Sequence, residues 1–276
     1  MQSIQEMGQA AQAAAFTLGQ LATTKKNQVL LAMADALVAA TPTILAANRQ
    51  DMAAANANQV RQVMRDRLKL DEQRIEAMAM GLHQVATLAD PIGVIDKGWQ
   101  TDAGLQIAQQ RVPLGVIAMI YEARPNVTVD AAALTFKSGN AVILRGGKEA
   151  LQSNIALATV LQQVLVDLQL PAAAIQLVTD TSHETAQALM RLNDYVDVLI
   201  PRGSGKFIKT VVQTATVPVI ETGAGNCHIY VDDSADLAMA RDIIINAKTQ
   251  RPAVCNAMEK LVVNQQVAAQ FLPQLA

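Results

Sequence analysis

The feature that most constrains this fold is an alternation, from about residue 116 onward, between short apolar stretches and longer amphipathic ones. The apolar stretches have strand length: VIAMI (116–120), AVILR (141–145), IQLV (175–178), VDVLI (196–200), PVIE (218–221), HIYV (228–231) and LVV (261–263). The amphipathic stretches, such as 151–168 and 234–250, have the length and spacing of helices. This alternation predicts βαβ units and a mostly parallel sheet, whose ligands bind at the carboxyl ends of the strands.

The first ninety residues have a different character. They are rich in Ala, Gln, Met and Leu, with apolar positions at helical spacing, and we predict a run of helices. Between about residues 92 and 112, glycine and proline punctuate short β-branched stretches, so strands begin there. A chain of 276 residues with 51% hydrophobic content can form one large domain or two ordinary ones. We therefore predict a globular α/β protein.

Charge and targeting signals narrow the possible partners. The net charge of -2 is spread along the chain without a basic face or tail, so a small ligand is favoured over nucleic acid or an anionic membrane. The N-terminus has no basic segment followed by an apolar one, and no apolar run approaches the ~18 residues of a membrane span. Two cysteines and three scattered histidines provide neither a disulfide framework nor metal-ligand spacing. These patterns predict a cytoplasmic protein with reduced thiols and no structural zinc.

Two glycine-rich segments each follow a strand and precede a helix. The first contains Arg145, Gly146, Gly147 and Lys148, and the second contains Gly203 and Ser204. Glycine lets a ligand approach the backbone closely, while the following helix N–H groups and the nearby cations suit phosphate. The second segment is neither a Walker A loop nor the standard dinucleotide fingerprint, because Ile200 and Ile208 occupy positions that require glycine. Taken alone, each segment is also compatible with an ordinary turn.

Asn126 and Glu221 lie at the ends of predicted strands. Asn126 follows Arg124-Pro125 and precedes an Ala-rich helix, where its amide would either stabilise an oxyanion or cap the helix N-terminus. Glu221 precedes a glycine-rich turn, where its carboxylate would act as a general base or accept hydrogen bonds from the turn. Residue type and position alone leave both choices open.

The two cysteines differ in their sequence surroundings. Cys255 follows the helix-ending Pro252 and is predicted to lie on a loop, where Lys248 and Arg251 would favour its thiolate if they were also close in space. A lone loop cysteine is usually inert, so both an inert and a nucleophilic Cys255 remain open. Cys227 lies against an apolar strand with no cation nearby in sequence, and we interpret it as structural.

Taken in order, several segments resemble the aldehyde dehydrogenase superfamily, and specifically its γ-glutamyl phosphate reductase branch. They are YEARPNVT, KSGNAVILRGGKEA, PRGSGKFI, ETGAGNCHIYVDDSAD and RPAVCNAMEKLVV. The resemblance implies a Rossmann-type parallel-sheet NADP-binding domain over 1–226, with an oligomerisation hairpin near 95–112, and an incomplete start of an α/β catalytic domain over 227–276. It also implies NADPH-dependent reduction of L-glutamyl 5-phosphate to L-glutamate 5-semialdehyde with phosphate release, a step of proline biosynthesis.

The resemblance also implies residue roles. Cys255 matches the nucleophile that forms a thioester, and Asn126 matches the amide that stabilises the oxyanion together with the Cys255 backbone N–H. The segment from Arg145 to Lys148, with Gly146 and Gly147, matches the loop that binds the adenosine ribose and 2′-phosphate of NADPH. Gly203 and Ser204 match the turn that faces the pyrophosphate. Glu221 matches the base of the oxidative relatives, and we group it with the cofactor-binding residues.

Members of this family are longer than this chain, so we expect the chain to lack part of the catalytic domain. In the complete protein the resemblance implies a homo-oligomer that acts on a small acyl phosphate. Two alternatives remain open. One is an oxidative aldehyde dehydrogenase, in which Glu221 would activate water. The other is a catalytically inactive nucleotide-binding fragment.

Overall fold

The computed structural model describes residues 3–221, 223, 225–252 and 254–275. The chain divides into two compact units, residues 1–222 and 223–276. Each unit has its own apolar core. The sequence prediction placed a domain boundary between 226 and 227, close to this division, and the roles assigned to the two domains stay predictions.

Helices and strands account for most of the described residues. The α-helices are α1 (Ile4–Leu18), α2 (Thr23–Ala39), α3 (Thr41–Ala57), α4 (Gln62–Leu68), α5 (Glu72–Thr87), α6 (Pro125–Lys137), α7 (Leu151–Asp167), α8 (His183–Met190), α9 (Gly205–Thr214), α10 (Leu237–Thr249) and α11 (Gln265–Phe271). The strands are β1 (Ile95–Gln100), β2 (Gln106–Gln110), β3 (Val116–Tyr121), β4 (Ala141–Arg145), β5 (Ile175–Leu177), β6 (Val198–Arg202), β7 (Cys227–Val231) and β8 (Met258–Val263). Short 3₁₀ turns cover Lys148–Ala150, Ala172–Ala174 and Leu272–Gln274.

The main sheet of the first unit has four parallel strands in the order β5-β4-β3-β6. Its central strands β3 and β4 are almost wholly buried, as expected for continuous apolar strands that are covered by helices on both faces. The parallel α/β prediction is confirmed. The prediction of a strand over 218–221 is wrong, because that segment makes only a single bridge, between Val219 and Leu199. Pro218 has no N–H to donate to a ladder, and the chain then runs into the glycine-rich segment.

The N-terminal helices pack on the sheet through apolar faces and through buried polar contacts. Asp51 of α3 accepts hydrogen bonds from the backbone N–H groups of Gln152 (3.1 Å) and Ser153 (2.7 Å) and from the Ser153 hydroxyl (2.6 Å). A buried carboxylate thus caps the first turn of α7, where the helix dipole favours negative charge. This contact fixes the helix that follows the glycine-rich segment at the end of β4.

Within the described residues no single helix is both long and apolar enough to cross a membrane, while α2 and α3 meet that test only together, bent by 66° between them.

Strands β1 and β2 form an antiparallel hairpin apart from the main sheet. All residues of both strands are exposed, including Trp99 and Ile107. A bidentate ion pair between Arg111 and Asp96 links the two sides of the hairpin. The hairpin coincides with the segment predicted near 95–112, and its oligomerisation role stays a prediction.

The second unit contains the parallel pair β7-β8 with α10 and α11. Its core is formed by Val231, Ile244, Met258 and Phe271. Cys227 begins β7, and Cys255 lies in the turn that precedes β8. The loop position predicted for Cys255 is confirmed.

Candidate functional site

A cavity of about 500 Å³ opens in the first unit, where the loops after β3, β4 and β6 meet helices α8 and α9. Its lining consists of Met64, Tyr121, Glu122, Ala123, Arg145, Gly147, Glu149, His183, Ala186, Gln187, Met190, Ser204, Lys206, Phe207, Thr210 and Thr214. The parallel direction of the strands places their carboxyl ends at one edge of the sheet, which is the expected ligand-binding edge. The volume lies within the range of small-molecule and cofactor sites, about 300–1,000 Å³.

Arg145 ends β4 and contributes a half-buried cation to the cavity. Its Nη2 donates to the backbone carbonyls of Thr181 (2.7 Å) and Ser182 (3.2 Å) in the loop before α8. Its Nε is buried with no hydrogen-bond partner among the described residues. Desolvation lowers the pKa of Arg145, and the nearby carboxylates of Asp180 and Glu149 act in the opposite direction. The guanidinium therefore lines the cavity and is held in place there by two backbone carbonyls.

The two glycines after Arg145 lie in close contact with their neighbours. A Cβ at Gly146 would overlap the amide of Asn154, and a Cβ at Gly147 would lie 2.8 Å from Glu149 Oε2 and 3.2 Å from the backbone N of Ala123. Gly147 lines the cavity, so its bare backbone lets a ligand approach the sheet edge. Lys148 is exposed, begins the 3₁₀ turn that leads into α7 and is not among the cavity-lining residues.

The second predicted segment reaches the same cavity but meets a carboxylate there. Ser204 is the N-cap of α9, and its hydroxyl accepts a hydrogen bond from the Phe207 N–H at 3.4 Å. The Ser204 N–H donates to Glu122 Oε1 at 3.0 Å. The Glu122 side chain also lies over Gly203, where an added Cβ would meet its Cδ at 2.8 Å. The structure therefore brings this turn to the cavity together with an acidic side chain that sequence reasoning did not identify.

A buried polar chain supports the cavity floor. The Tyr121 hydroxyl lies 2.7 Å from Thr128 Oγ1, which in turn lies 2.9 Å from Asn154 Oδ1. Burial raises the pKa of Tyr121, so its phenol stays protonated. The chain connects the end of β3 to α6 and α7, and it sets the position of the Asn154 amide against Gly146.

Asn126 is exposed on the first turn of α6. Its Nδ2 donates to Asp130 Oδ2 at 3.0 Å, one helical turn further on. Partial desolvation raises the pKa of Asp130, and the bond from Asn126 lowers it in part. The helix-capping alternative is wrong, because the N-cap is Arg124 and Pro125 takes the first helical position. The amide is therefore at the surface, held by a single intrahelical hydrogen bond.

The remaining candidates lie at the end of the first unit and in the second. Glu221 is exposed and directly follows the bridge segment of the main sheet. Cys255 is exposed, and its carbonyl lies 3.7 Å from the Cys227 sulfur. Lys248 donates to the Met258 carbonyl at 3.0 Å, so its ammonium is held at the start of β8. The roles of these residues stay predictions.

Sequence reasoning missed several cavity residues, Glu122 and His183 among them. Glu122 directly follows the last residue of β3, and polar residues at that position of a parallel sheet are ligand-site candidates. His183 begins α8, and neither the charge nor the length of that segment indicated a ligand site. The strand-end position would have identified Glu122, whereas the approach of α8 to Arg145 depends on tertiary packing.

Comparisons with known proteins agree on one family. The chain matches the model described as the aldehyde dehydrogenase family over residues 1–276. It is 60% identical over 272 residues to the γ-glutamyl phosphate reductase of Enterococcus faecalis, covering 99% of this chain and 65% of that relative. It is also 60% identical over 275 residues to that of Lactiplantibacillus plantarum, covering 100% of this chain and 66% of the relative.

A solved structure gives the same result. The crystal structure of γ-glutamyl phosphate reductase from Thermotoga maritima has a TM-score of 0.88 and 42% identity, covering 98% of this chain and 65% of that one. The resemblance and the fold class inferred from the sequence are both confirmed. The chain spans 65–66% of the length of the two curated relatives.

Proposed function

Because this chain belongs to the aldehyde dehydrogenase family, we propose that its first unit binds NADPH in the cavity at the carboxyl edge of the β5-β4-β3-β6 sheet. Family membership implies a nicotinamide cofactor and a small-molecule substrate. The observation that carries the proposal is the convergence of two sequence-distant turns on one cavity, the turn after β4 with Arg145 and Gly147 and the turn after β6 with Ser204. Their chemistry fits a phosphorylated ligand, because a cation, a bare backbone and a helix N-terminus suit phosphate groups.

The preference for NADPH over NADH rests on the cation at the end of β4. Arg145 is half-buried, retains a buried Nε–H without a partner among the described residues, and is held in place by two carbonyls. A preorganised guanidinium is well suited to a phosphate monoester. Lys148, three residues further on and exposed, adds a second cation to the same loop.

For the reaction, we propose reduction of L-glutamyl 5-phosphate to L-glutamate 5-semialdehyde, the activity named by the relatives. Cys255 attacks the acyl carbon, phosphate leaves and a thioester forms, since a thiolate is a strong nucleophile near neutral pH. The Asn126 amide and the Cys255 N–H stabilise the tetrahedral oxyanion, an effect commonly worth about 2.7–4 kcal/mol per donor. The dinucleotide, when bound, would supply the hydride to the thioester carbon, after which the C–S bond breaks and releases the aldehyde and the Cys255 thiolate. To stabilise the oxyanion, the Asn126 amide gives up its hydrogen bond to Asp130 and donates to the substrate oxygen instead.

The remaining assignments belong to the same proposal. The complete protein acts in the cytoplasm as a homo-oligomer through the exposed β1-β2 hairpin, and Glu221 contacts the cofactor. An oxidative aldehyde dehydrogenase would instead convert a free aldehyde, and an inactive fragment would bind nucleotide without turnover. NADPH oxidation measured with an acyl phosphate, against NADP⁺ reduction measured with a free aldehyde, separates these three functions.

The binding proposal is tested by titrating the chain with NADPH and with NADH. We expect tighter binding of NADPH, and an Arg145→Gln variant that loses most of that preference. The control is Arg241→Gln, because Arg241 is a partly exposed arginine paired with Asp242 in the second unit. If wild type and Arg145→Gln showed the same affinity for NADPH and the same affinity for NADH, the role assigned to Arg145 would be contradicted.

The role of Cys255 is tested by thiol labelling. Because Cys255 is exposed and Cys227 only partly so, an alkylating reagent should modify Cys255 first and abolish NADPH oxidation with an acyl phosphate. Cys255→Ala should lose that activity, whereas Cys227→Ala should retain it. Loss of activity in Cys227→Ala with retention in Cys255→Ala would reverse the assignment.

A further inference from the structure

The turn assigned to the cofactor pyrophosphate already holds an anion from the protein itself. Glu122 Oε1 accepts the Ser204 N–H at 3.0 Å. The same side chain covers the backbone of Gly203, where an added Cβ would meet its Cγ at 2.9 Å and its Cδ at 2.8 Å. The hydrogen bond and the packing are separate observations, and both place the carboxylate on the turn.

This position is chemically significant because it is the N-terminus of a helix. Helix α9 is ten residues long, and its first N–H groups and its dipole attract negative charge. A carboxylate on the Ser204 N–H occupies a donor that a phosphate oxygen would use. A phosphate approaching the turn therefore meets a repelling charge as well as an occupied donor.

We propose that Glu122 is an internal competitor for the phosphate subsite and that it sets the affinity of the cavity for the cofactor. NADPH binding displaces the carboxylate from the Ser204 N–H, and part of the binding free energy is spent on that displacement. The inference rests on the proposed function, because it assumes that the ligand of this turn is a pyrophosphate group.

An alternative role predicts the opposite result. A carboxylate at a strand end can accept hydrogen bonds from ribose hydroxyls, as it does in many dinucleotide sites. In that case Glu122 would strengthen binding, and its removal would weaken it. The sign of the affinity change therefore decides between competitor and ribose ligand.

The experiment compares wild type, Glu122→Gln and Glu122→Ala by calorimetric titration with NADPH, inorganic pyrophosphate and adenosine. Glu122→Gln keeps the size of the side chain and removes its charge, while Glu122→Ala uncovers the turn. We expect both variants to bind NADPH and pyrophosphate about two- to tenfold more tightly than wild type, with no change for adenosine. The control is Glu76→Gln, because Glu76 is an exposed carboxylate on α5 outside the cavity lining, and it should leave all three affinities unchanged.

The outcomes separate this inference from the proposed function. Unchanged or weaker NADPH binding in both Glu122 variants, with NADPH binding intact in wild type, overturns the inference and leaves the proposed function standing. Tighter pyrophosphate binding in the variants, without NADPH binding in any form, supports the competitor role and overturns the proposed cofactor. Absence of binding of NADPH and pyrophosphate in every form overturns both.

Discussion

The buried ion pair between Lys26 and Asp90 gives the sharpest stability prediction. Lys26 Nζ lies 2.9 Å from Asp90 Oδ2, and the two side chains are only 1% and 9% exposed. Asp90→Asn removes the carboxylate and leaves the Lys26 ammonium buried without its counter-ion, and the nearby Lys137 also loses a favourable charge. Breaking a buried pair costs about 3–5 kcal/mol, and since Asp90 is the less buried of the two side chains we expect the lower end.

The assay is thermal unfolding followed by circular dichroism. In a unit of this size 1 kcal/mol corresponds to about 2–4 °C, so Asp90→Asn should lower Tm by about 6–12 °C. Lys26→Met should cost less, because Asp90 keeps the donors Thr23 Oγ1 and the Ile92 N–H. The matched control is Asp96→Asn on the exposed hairpin, which should change Tm little. An Asp90→Asn variant that melts within about 2 °C of wild type would refute the reasoning.

The same pair predicts a pH dependence with a defined sign. Desolvation of the Asp90 carboxyl acts to raise its pKa, but hydrogen bonds from Lys26, the Ile92 N–H and Thr23 outweigh it, so the pKa lies below 3.8. A carboxyl whose pKa is lower in the folded state than in the unfolded state stabilises the protein at pH values above the unfolded-state pKa. This stabilisation is lost as the pH falls through the folded-state pKa. The Tm difference between wild type and Asp90→Asn should therefore narrow below about pH 4. A Tm difference that stays constant between about pH 7 and about pH 3, the ends of a practical titration, would contradict this pH dependence.

Four further substitutions have directions set by backbone or capping geometry, and the effect of each is measured as a change in Tm. Gly115→Ala should destabilise by about 1–3 kcal/mol, because Gly115 has φ +121° and an added Cβ would overlap the Asp197 carboxylate. Gln59→Gly and Gln169→Gly should each raise Tm slightly or leave it unchanged, because both residues have φ above +50° and glycine relieves that strain; a clear fall would contradict the strain argument. Asp51→Ala should destabilise by about 1–3 kcal/mol, since two N–H groups and a hydroxyl at the start of α7 lose their acceptor; a cost below about 0.5 kcal/mol would contradict the capping role.

Much of the fold could be predicted because its strands carry a strong local signal. The run AVILR gave the bounds of β4 as the structure has them, and 151–168 gave α7 to within one residue. The prediction of a strand over 218–221 failed because the apolar residues of that segment resemble a strand, whereas Pro218 limits its pairing to one bridge. The capping role of Asn126 failed for a similar local reason, since Pro125 begins the helix and moves Asn126 into its first turn.

The site was less predictable because its decisive contacts join distant parts of the sequence. Arg145, Gly147, Gly203 and Ser204 were recognisable from strand-end position and residue type. The contact of Glu122 with Ser204 spans 82 residues and depends on β3 and β6 being neighbours in the sheet. Strand order cannot be read from strand length or hydrophobicity, so no local pattern could show that an acidic residue would face the Gly203-Ser204 turn.

The charges that line the cavity support the role proposed for that contact. The sequence shows cations near the two glycine-rich segments. A cavity lined mainly by cations would attract a phosphorylated ligand by charge alone. The lining instead contains two cations, Arg145 and Lys206, and two carboxylates, Glu122 and Glu149. The formal charges of these four side chains sum to zero, so an anionic ligand gains little from them taken together. The competitor role proposed for Glu122 follows from this balance, because Glu122 is the carboxylate held on the helix N-terminus.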